Sequence, residues 1–199
     1  MKKTVFGLIF TLTLFFSLWA LAMDEAAAAK LPDKLVRLHV LAASDSASDQ
    51  SDKLAVRDAV LAELSPALQD CRSRAEAVSR IQALLPEVKT AAQNTLCALG
   101  RTESVTVTLS EEAYPVRSYD SFALPAGSYV SLRVAIGEGA GHNWWCVVFP
   151  PLCLAAAEEE DEDAWEVFSP DEQRLITAGG RVLRLRALEW WEKLQKLLG

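Results

Sequence analysis

The chain has 199 residues, which is enough for one domain with a buried core, and its formal net charge is −7. A nucleic-acid-binding protein needs Lys and Arg clustered on one face. The acidic balance therefore argues against nucleic acid as a partner and against tight binding to anionic lipid.

Residues 1–22 have the composition of an export signal peptide. Lys2 and Lys3 give a positive start, a long apolar run follows, and Ala20 and Ala22 occupy the two positions that a signal peptidase reads. We favour cleavage after Ala22. The run is also close to the roughly 20 residues that span a bilayer, so an uncleaved anchor stays open. In either case the body of the protein is expected outside the membrane, where four cysteines are compatible with disulfides.

The next part of the chain predicts a tether, a strand and a helical block. Residues 23–34 are alanine-rich and polar and are interpreted as a tether, and the alternation over 35–41 predicts a strand. Helical periodicity predicts one helix over about 49–68 and a second helical region over about 72–99. Within that region, Pro86 fits the first turn of a new helix.

Several residues of this block have more than one interpretation. The Ser- and Asp-rich loop at 42–52 is interpreted as turns and helix caps, because the ligand spacing and terminal Glu of an EF-hand calcium loop are missing. In the first helix we place Leu54 on the apolar face and Lys53 on the polar face. Cys71 and Cys97 pair only if the two halves of the second helical region fold back, and we expect free, buried thiols.

The second half of the chain predicts the rest of a sheet. Clean alternation predicts strands over 104–109 and 129–136, with a turn at 124–128 before the latter. The order of elements predicts an α+β fold over 35–154. We expect a single domain with an antiparallel or mixed sheet, a helical block after the first strand and a closing C-terminal helix.

The most unusual stretch is 137–153, GEGAGHNWWCVVFPPLC. Its alternating glycines allow positive φ and a close approach of the backbone to another segment. We predict a loop, a short strand that begins at Val147, and a turn at the prolines. Trp144 and Trp145 point to opposite faces of an extended chain, so that one can be buried while the other is presented.

Cys146 has two interpretations. In the one that we favour it belongs to a structural corner, where it either forms a disulfide with Cys153 or stays a buried thiol. In the other it is a nucleophile with His142 or His39 as its base, which would make the protein a small secreted cysteine hydrolase. The chain has only two histidines and none of the local cysteine-protease signatures, and His39 otherwise fits a plain strand residue.

The C-terminal part changes in character. Residues 155–178 are interpreted as an acidic linker, because 158–163 are six consecutive acids, which rarely form a calcium site. Residues 179–199 predict an amphipathic helix. Its apolar stripe is typical of core packing, and its positive charges keep a peripheral membrane contact open.

Several segments resemble one known family. Residues 38–60, 124–139 and 141–153 are similar to stage II sporulation protein R, the last segment being the most specific. The similarity covers most of 35–154. The C-terminal helix also resembles that end of the family, and the run of acids resembles a variable insertion.

The resemblance implies a signalling protein rather than an enzyme, with no catalytic residue, cofactor or metal. Such proteins are made in the forespore of endospore-forming bacteria and exported into the space between the forespore and mother-cell membranes. There they trigger a membrane-embedded aspartic protease of the mother cell, which cleaves the precursor of sigma-E.

The resemblance does not identify the face that binds the protease. Because Trp is enriched at interface hot spots and glycine loops bring the backbone close to a partner, we predict a first contact patch in the unusual stretch. A second patch is predicted in the loop and helix after the first strand. The first patch consists of His142, Asn143, Trp144 and Trp145, and the second of Ser44, Asp45, Lys53, Arg57 and Asp58.

Overall fold

The computed structural model describes residues 11–13, 15, 16, 19, 26–119, 122–151 and 167–177. The helices are α1 (Ala47–Leu68), α2 (Arg74–Ala83), α3 (Leu85–Ala98) and α4 (Pro170–Thr177), and a 3-10 turn spans Leu31–Lys34. The strands are β1 (Val36–Leu41), β2 (Val105–Tyr114), β3 (Arg117–Ser118), β4 (Ala123–Leu124), β5 (Gly127–Ile136) and β6 (Asn143–Phe149). In this part of the chain no helix has the length and apolar content that a bilayer crossing requires.

The chain divides into two compact units. The larger comprises Pro32–Pro115 and Gly127–Val167, and the smaller comprises Met1–Leu31, Val116–Ala126 and Phe168–Gly199. Three predicted features lie outside the described residues: the cleavage site after Ala22, the run of acids at 158–163 and the C-terminal helix at 179–199.

The larger unit is built on a four-stranded sheet with the order β2-β5-β1-β6. β1 pairs in parallel with β5 and antiparallel with β6, and β2 pairs antiparallel with β5. A parallel pair needs a long crossover connection, and here the helical block and β2 supply it. The predicted α+β class is confirmed, with a mixed sheet and the helical block after the first strand.

The helices cover one face of the sheet. Val36, Leu38 and Val40 of β1 point to this face at alternate positions and belong to one core cluster with the helices. The buried apolar residues of α1 recur every fourth position, at Val56, Val60, Leu64 and Leu68. Burial of each such side chain contributes about 1.5–3 kcal/mol, so this stripe fixes α1 on the sheet.

The orientation of α1 corrects the prediction for its first turns. Leu54 is 39% exposed, whereas Asp52 and Lys53 are buried. Asp52 lies one turn before Val56 and therefore continues the buried stripe. Its carboxylate accepts a hydrogen bond from Arg101 Nε at 2.6 Å, which offsets the cost of burying the charge. Hydrophobicity alone did not reveal this, because the partner that allows the burial comes from a distant segment.

Three strands are longer than predicted, and one of them, β5, begins at Gly127 instead of at 129. β2 continues to Tyr114 instead of ending at 109, because β5 is long enough to pair with it throughout, from Val105↔Ile136 to Tyr114↔Gly127. β6 begins at Asn143 rather than at Val147, so both tryptophans lie within a strand. The predicted end of β6 before the prolines is correct.

Local sequence signals mark the ends of the helices in the helical block. Ser46 is the N-cap of α1 and its side chain accepts a hydrogen bond from the backbone N–H of Asp49. Pro86 lies in the first turn of α3. Gly100 follows that helix with a φ of 73°, which suits glycine at a helix end.

In the smaller unit, β3 and β4 form an antiparallel pair and α4 is a short helix. This helix lies in the segment that we interpreted as a linker. Ser169 Oγ accepts a hydrogen bond from the N–H of Glu172, and the Glu172 carboxylate accepts one from the N–H of Ser169 at 2.7 Å. This reciprocal capping box explains why a helix begins here.

Candidate functional site

Two loops meet at one edge of the sheet. Because β1 and β5 are parallel, the segments that follow them leave the sheet at the same edge. The segment 42–46 connects β1 to α1, and the segment 137–142 connects β5 to β6. We call these two segments the paired-loop site.

Three glycines allow the second loop to fold against the first. Gly137 and Gly139 have φ values of 56° and 63°, which other residues rarely adopt. Gly141 is required for a different reason. A Cβ at Gly141 would lie 2.2 Å from the carbonyl oxygen of Ser44, and the Gly141 N–H donates to the carbonyl of Ala42 at 2.9 Å. The two backbones are therefore in direct contact.

Asp45 and His142 connect the loops by their side chains. The backbone N–H of His142 donates to Asp45 Oδ1 at 2.6 Å, and His142 Nδ1 contacts the same oxygen. The N–H of His142 is the main cause that lowers the pKa of Asp45; burial opposes it, and the imidazole of His142 and then Lys53 lower the pKa further. The side chains are 78% exposed for His142 and 57% for Asp45, so the pair is accessible to another molecule.

Lys53 holds the two loops from its position on α1. The side chain is only 5% exposed, and burial lowers its pKa, with Arg57 acting in the same direction and Asp45 opposing. Its Nζ donates to Gln50 Oε1 at 2.6 Å and to the carbonyl oxygen of His142 at 3.1 Å. Gln50 in turn donates from Nε2 to the carbonyl of Ser44 at 2.9 Å.

The predicted capping role of the Ser- and Asp-rich loop is confirmed. Ser44 Oγ donates to Asp49 Oδ2 at 2.5 Å and accepts the N–H of Ser46 at 3.1 Å. These bonds hold the first loop against the start of α1. Within the described residues no cluster of His, Cys, Asp and Glu is grouped as a metal site would require.

The two tryptophans point to opposite faces of β6, as predicted, but neither is fully buried. Trp144 packs against the core on the helical face, and the guanidinium of Arg57 lies 4.8 Å from its ring centroid. Arg57 also pairs with Asp58, at 2.7 Å between Nη2 and Oδ1. Trp145 lies on the other face, with its ring centroid 5.5 Å from that of His39.

The face of the sheet that carries Trp145 holds a polar network that the sequence did not predict. His39 Nε2 lies 2.9 Å from Asn143 Oδ1, and His39 Nδ1 lies 3.2 Å from Glu112 Oε2. Arg133 approaches the other oxygen of Glu112 at 3.5 Å. His39 is therefore not a plain strand residue, since it connects the outer strand β2 to the predicted contact residue Asn143.

Below this network lies a buried cation. Arg37 is 0% exposed, and its guanidinium carbon stands 3.9 Å from the ring centroid of Tyr114 and 5.0 Å from that of Tyr129. The Tyr114 hydroxyl lies 2.6 Å from Ser131 Oγ, and burial raises the pKa of Tyr114. Aromatic rings on the cation provide the electrostatic contact that replaces water.

Cys146 is disulfide-bonded and 5% exposed, whereas Cys71 and Cys97 are free. Cys71 is buried as expected, but Cys97 is exposed. The predicted partner, Cys153, lies outside the described residues, so that pairing stays a prediction. A disulfide sulfur has no thiolate to act as a nucleophile, which disfavours the hydrolase hypothesis.

The structure brings the second predicted patch together with His142 and Trp144 of the first. Asp45 and Lys53 bond to His142, and Ser44 packs against Gly141. Arg57, which pairs with Asp58, lies over Trp144. Asn143 and Trp145 lie on the far face of β6 and join the polar network instead. The residues that the prediction missed are Gln50, Gly141, His39, Glu112 and Arg133. Two of them had a signal: Gly141 is the last of the three alternating glycines, and His39 is one of only two histidines in the chain.

Fold and site together define a small α+β protein that presents an exposed, hydrogen-bonded loop surface. Cys146, the nucleophile of the hydrolase hypothesis, is in a disulfide and provides no reactive thiol. A sequence profile described as Stage II sporulation protein R (spore_II_R) matches residues 32–159. Stage II sporulation protein R of Bacillus subtilis (strain 168) is 38% identical over 178 residues, which cover 82% of this chain and 80% of that protein. The chain therefore belongs to the stage II sporulation protein R family, a family of sporulation proteins. No solved structure matches the chain.

Proposed function

We propose that this protein is an exported sporulation signal that activates a membrane-embedded aspartic protease of the mother cell and so leads to cleavage of the sigma-E precursor. The observation that carries the proposal is the paired-loop site, which exposes His142 and Asp45 on a backbone that is fixed by hydrogen bonds. A rigid, exposed surface favours binding, because little conformational entropy is lost when the partner docks.

The contact surface that we propose runs from the paired-loop site along α1. It combines the exposed pair of His142 and Asp45 with the stack of Arg57 on Trp144, and Leu54 adds an exposed apolar side chain one helical turn from Asp58. Aromatic and Arg side chains of this kind are the usual hot spots of protein interfaces. The protein makes or breaks no bond in this scheme. It shifts the protease toward an active state by binding that state more tightly.

Export is the second element of the proposal. Four apolar side chains of the predicted leader, Leu12, Phe15, Phe16 and Trp19, are 47–63% exposed, which is unfavourable in water and fits a segment that enters a membrane or is removed. We expect the mature protein to begin at Met23 and to act in the space between the two membranes. N-terminal sequencing of exported protein checks this, and an intact Met1 in the membrane fraction would indicate an anchor.

The signalling role is tested by co-expression of the exported protein, the protease and the sigma-E precursor in a non-sporulating host. Precursor cleavage should require the exported protein. Trp144→Ala should reduce binding to the protease by roughly 2 kcal/mol if this residue is a hot spot. The matched control is Leu99→Ala, which truncates another exposed apolar side chain, 48% exposed, at the end of α3. Equal effects of the two substitutions would contradict the proposed surface.

A further inference from the structure

Lys53 is the one charged residue of the predicted patches that does not face solvent. Its side chain is 5% exposed, and its ammonium group meets Gln50 Oε1 and the carbonyl oxygen of His142. A group buried to this extent has little surface to offer a partner. Its effect on binding must therefore pass through the residues that it holds.

The bond from Lys53 to the His142 carbonyl fixes the residue at which the second loop passes into β6. The peptide N–H of His142 is fixed by Asp45 and its carbonyl by Lys53, so both polar groups of one residue are held by the segment from β1 to α1. His142 is the last loop residue before β6 begins at Asn143. The direction of its side chain, and the point at which β6 leaves the loop, are set by these two bonds.

Gln50 completes a closed set of contacts. It lies three residues before Lys53 on α1, accepts from the ammonium through Oε1 and donates through Nε2 to the carbonyl of Ser44. Ser44 is the residue whose carbonyl oxygen packs directly against Gly141. Lys53 is thus connected to both loops of the site, to one directly and to the other through Gln50.

We propose that Lys53 is a positioning residue, which holds His142 in the orientation that the partner recognises without touching the partner itself. This inference rests on the proposed function for the identity of the partner. The positioning role itself concerns only this chain.

The test compares Lys53→Met, which keeps the aliphatic length but removes the ammonium group, with Lys53→Arg, which keeps a cationic donor. Two quantities are measured on the exported protein: the hydrogen-exchange protection of the Gly141 and His142 amides, and the affinity for the detergent-solubilised membrane protease. Loss of a charged hydrogen bond should lower both by about tenfold in Lys53→Met, and Lys53→Arg should restore most of both. Lys89→Met, at an exposed lysine of α3, should change neither.

Three outcomes would overturn the proposal. If affinity falls while loop protection is unchanged, Lys53 contacts the partner directly. If protection falls while affinity is unchanged, the loop geometry does not matter for binding. If neither changes, the bond to His142 has no positioning role.

A substitute variant and the result for the wild-type protein complete the test. If Lys53→Met does not fold, Gln50→Ala replaces it, and a smaller loss in both quantities is expected because one of the two loop connections remains. If the wild-type protein itself does not bind the protease, the proposed function fails. In that case the exchange measurements still decide whether Lys53 orders the loop.

Discussion

Gly141→Ala is the substitution that the paired-loop site should tolerate least. The added Cβ would lie 2.2 Å from the carbonyl oxygen and 2.5 Å from the carbonyl carbon of Ser44. These are backbone atoms that cannot rotate away, so the loops have to separate. Separation breaks the bond from Gly141 to Ala42 and the bond from His142 to Asp45. Loss of the neutral bond from Gly141 to Ala42 should by itself lower the free energy of unfolding by about 1 kcal/mol, and loss of the exposed bond to Asp45 adds to this.

The matched control for this prediction is Gly127→Ala. A Cβ there would lie 3.4 Å from side-chain atoms of Pro32 and Tyr129, which is ordinary van der Waals contact, and the residue has no positive φ. The expected change is within about 0.5 kcal/mol. Urea denaturation followed by tryptophan fluorescence measures both variants. A Gly141→Ala protein as stable as the control would refute the close packing of the two loops.

Three further predictions concern Asp45, Asp52 and Cys146. The pKa of Asp45 is lowered from its usual 3.8, so its contribution to stability is present above pH 3.8 and is lost as the pH falls through the lowered pKa. Hydrogen-exchange protection of the His142 amide should therefore decline at acid pH in the wild type but not in Asp45→Asn. Asp52→Ala, which removes a buried carboxylate and its hydrogen bond from the part-exposed Arg101, should cost about 1.5 kcal/mol in urea denaturation, against less than about 1 kcal/mol for the exposed Asp58→Ala, and equal losses would contradict the assigned burial. Cys146→Ser should lower stability but keep precursor cleavage in the co-expression assay, whereas a folded and inactive variant would favour the hydrolase hypothesis.

The features that the sequence predicted well are those whose causes are local. The cap at Ser46, the helix start at Pro86 and the alternation in β5 each depend on residues within a few positions of one another. The glycine stretch was also predicted correctly as a loop, because alternating glycines allow the positive φ values that a tight loop requires. Patterns of this kind act before any tertiary contact exists.

The features that the sequence did not predict depend on distant partners. The burial of Lys53 requires an acceptor 89 positions away at His142, and the network at His39 requires Glu112, 73 positions away. Glu112 was missed because β2 was expected to end before it. Only the pairing with β5 extends the strand that far, and a short window of sequence contains no information on such pairing.

The separation of its two loops along the chain has a consequence for when the paired-loop site can exist. Asp45 and His142 are 97 positions apart, and the strands that bring them together form a parallel pair with the whole helical block between them. The helices can form early from local contacts, whereas closing so long a loop is slow and occurs late in folding. A chain that emerges from an export channel therefore carries the complete helical block before it carries the paired-loop site. In the proposed role, the protease therefore responds only to a chain that has been exported at least as far as β6 and has folded there, so that partly exported or unfolded chains give no signal.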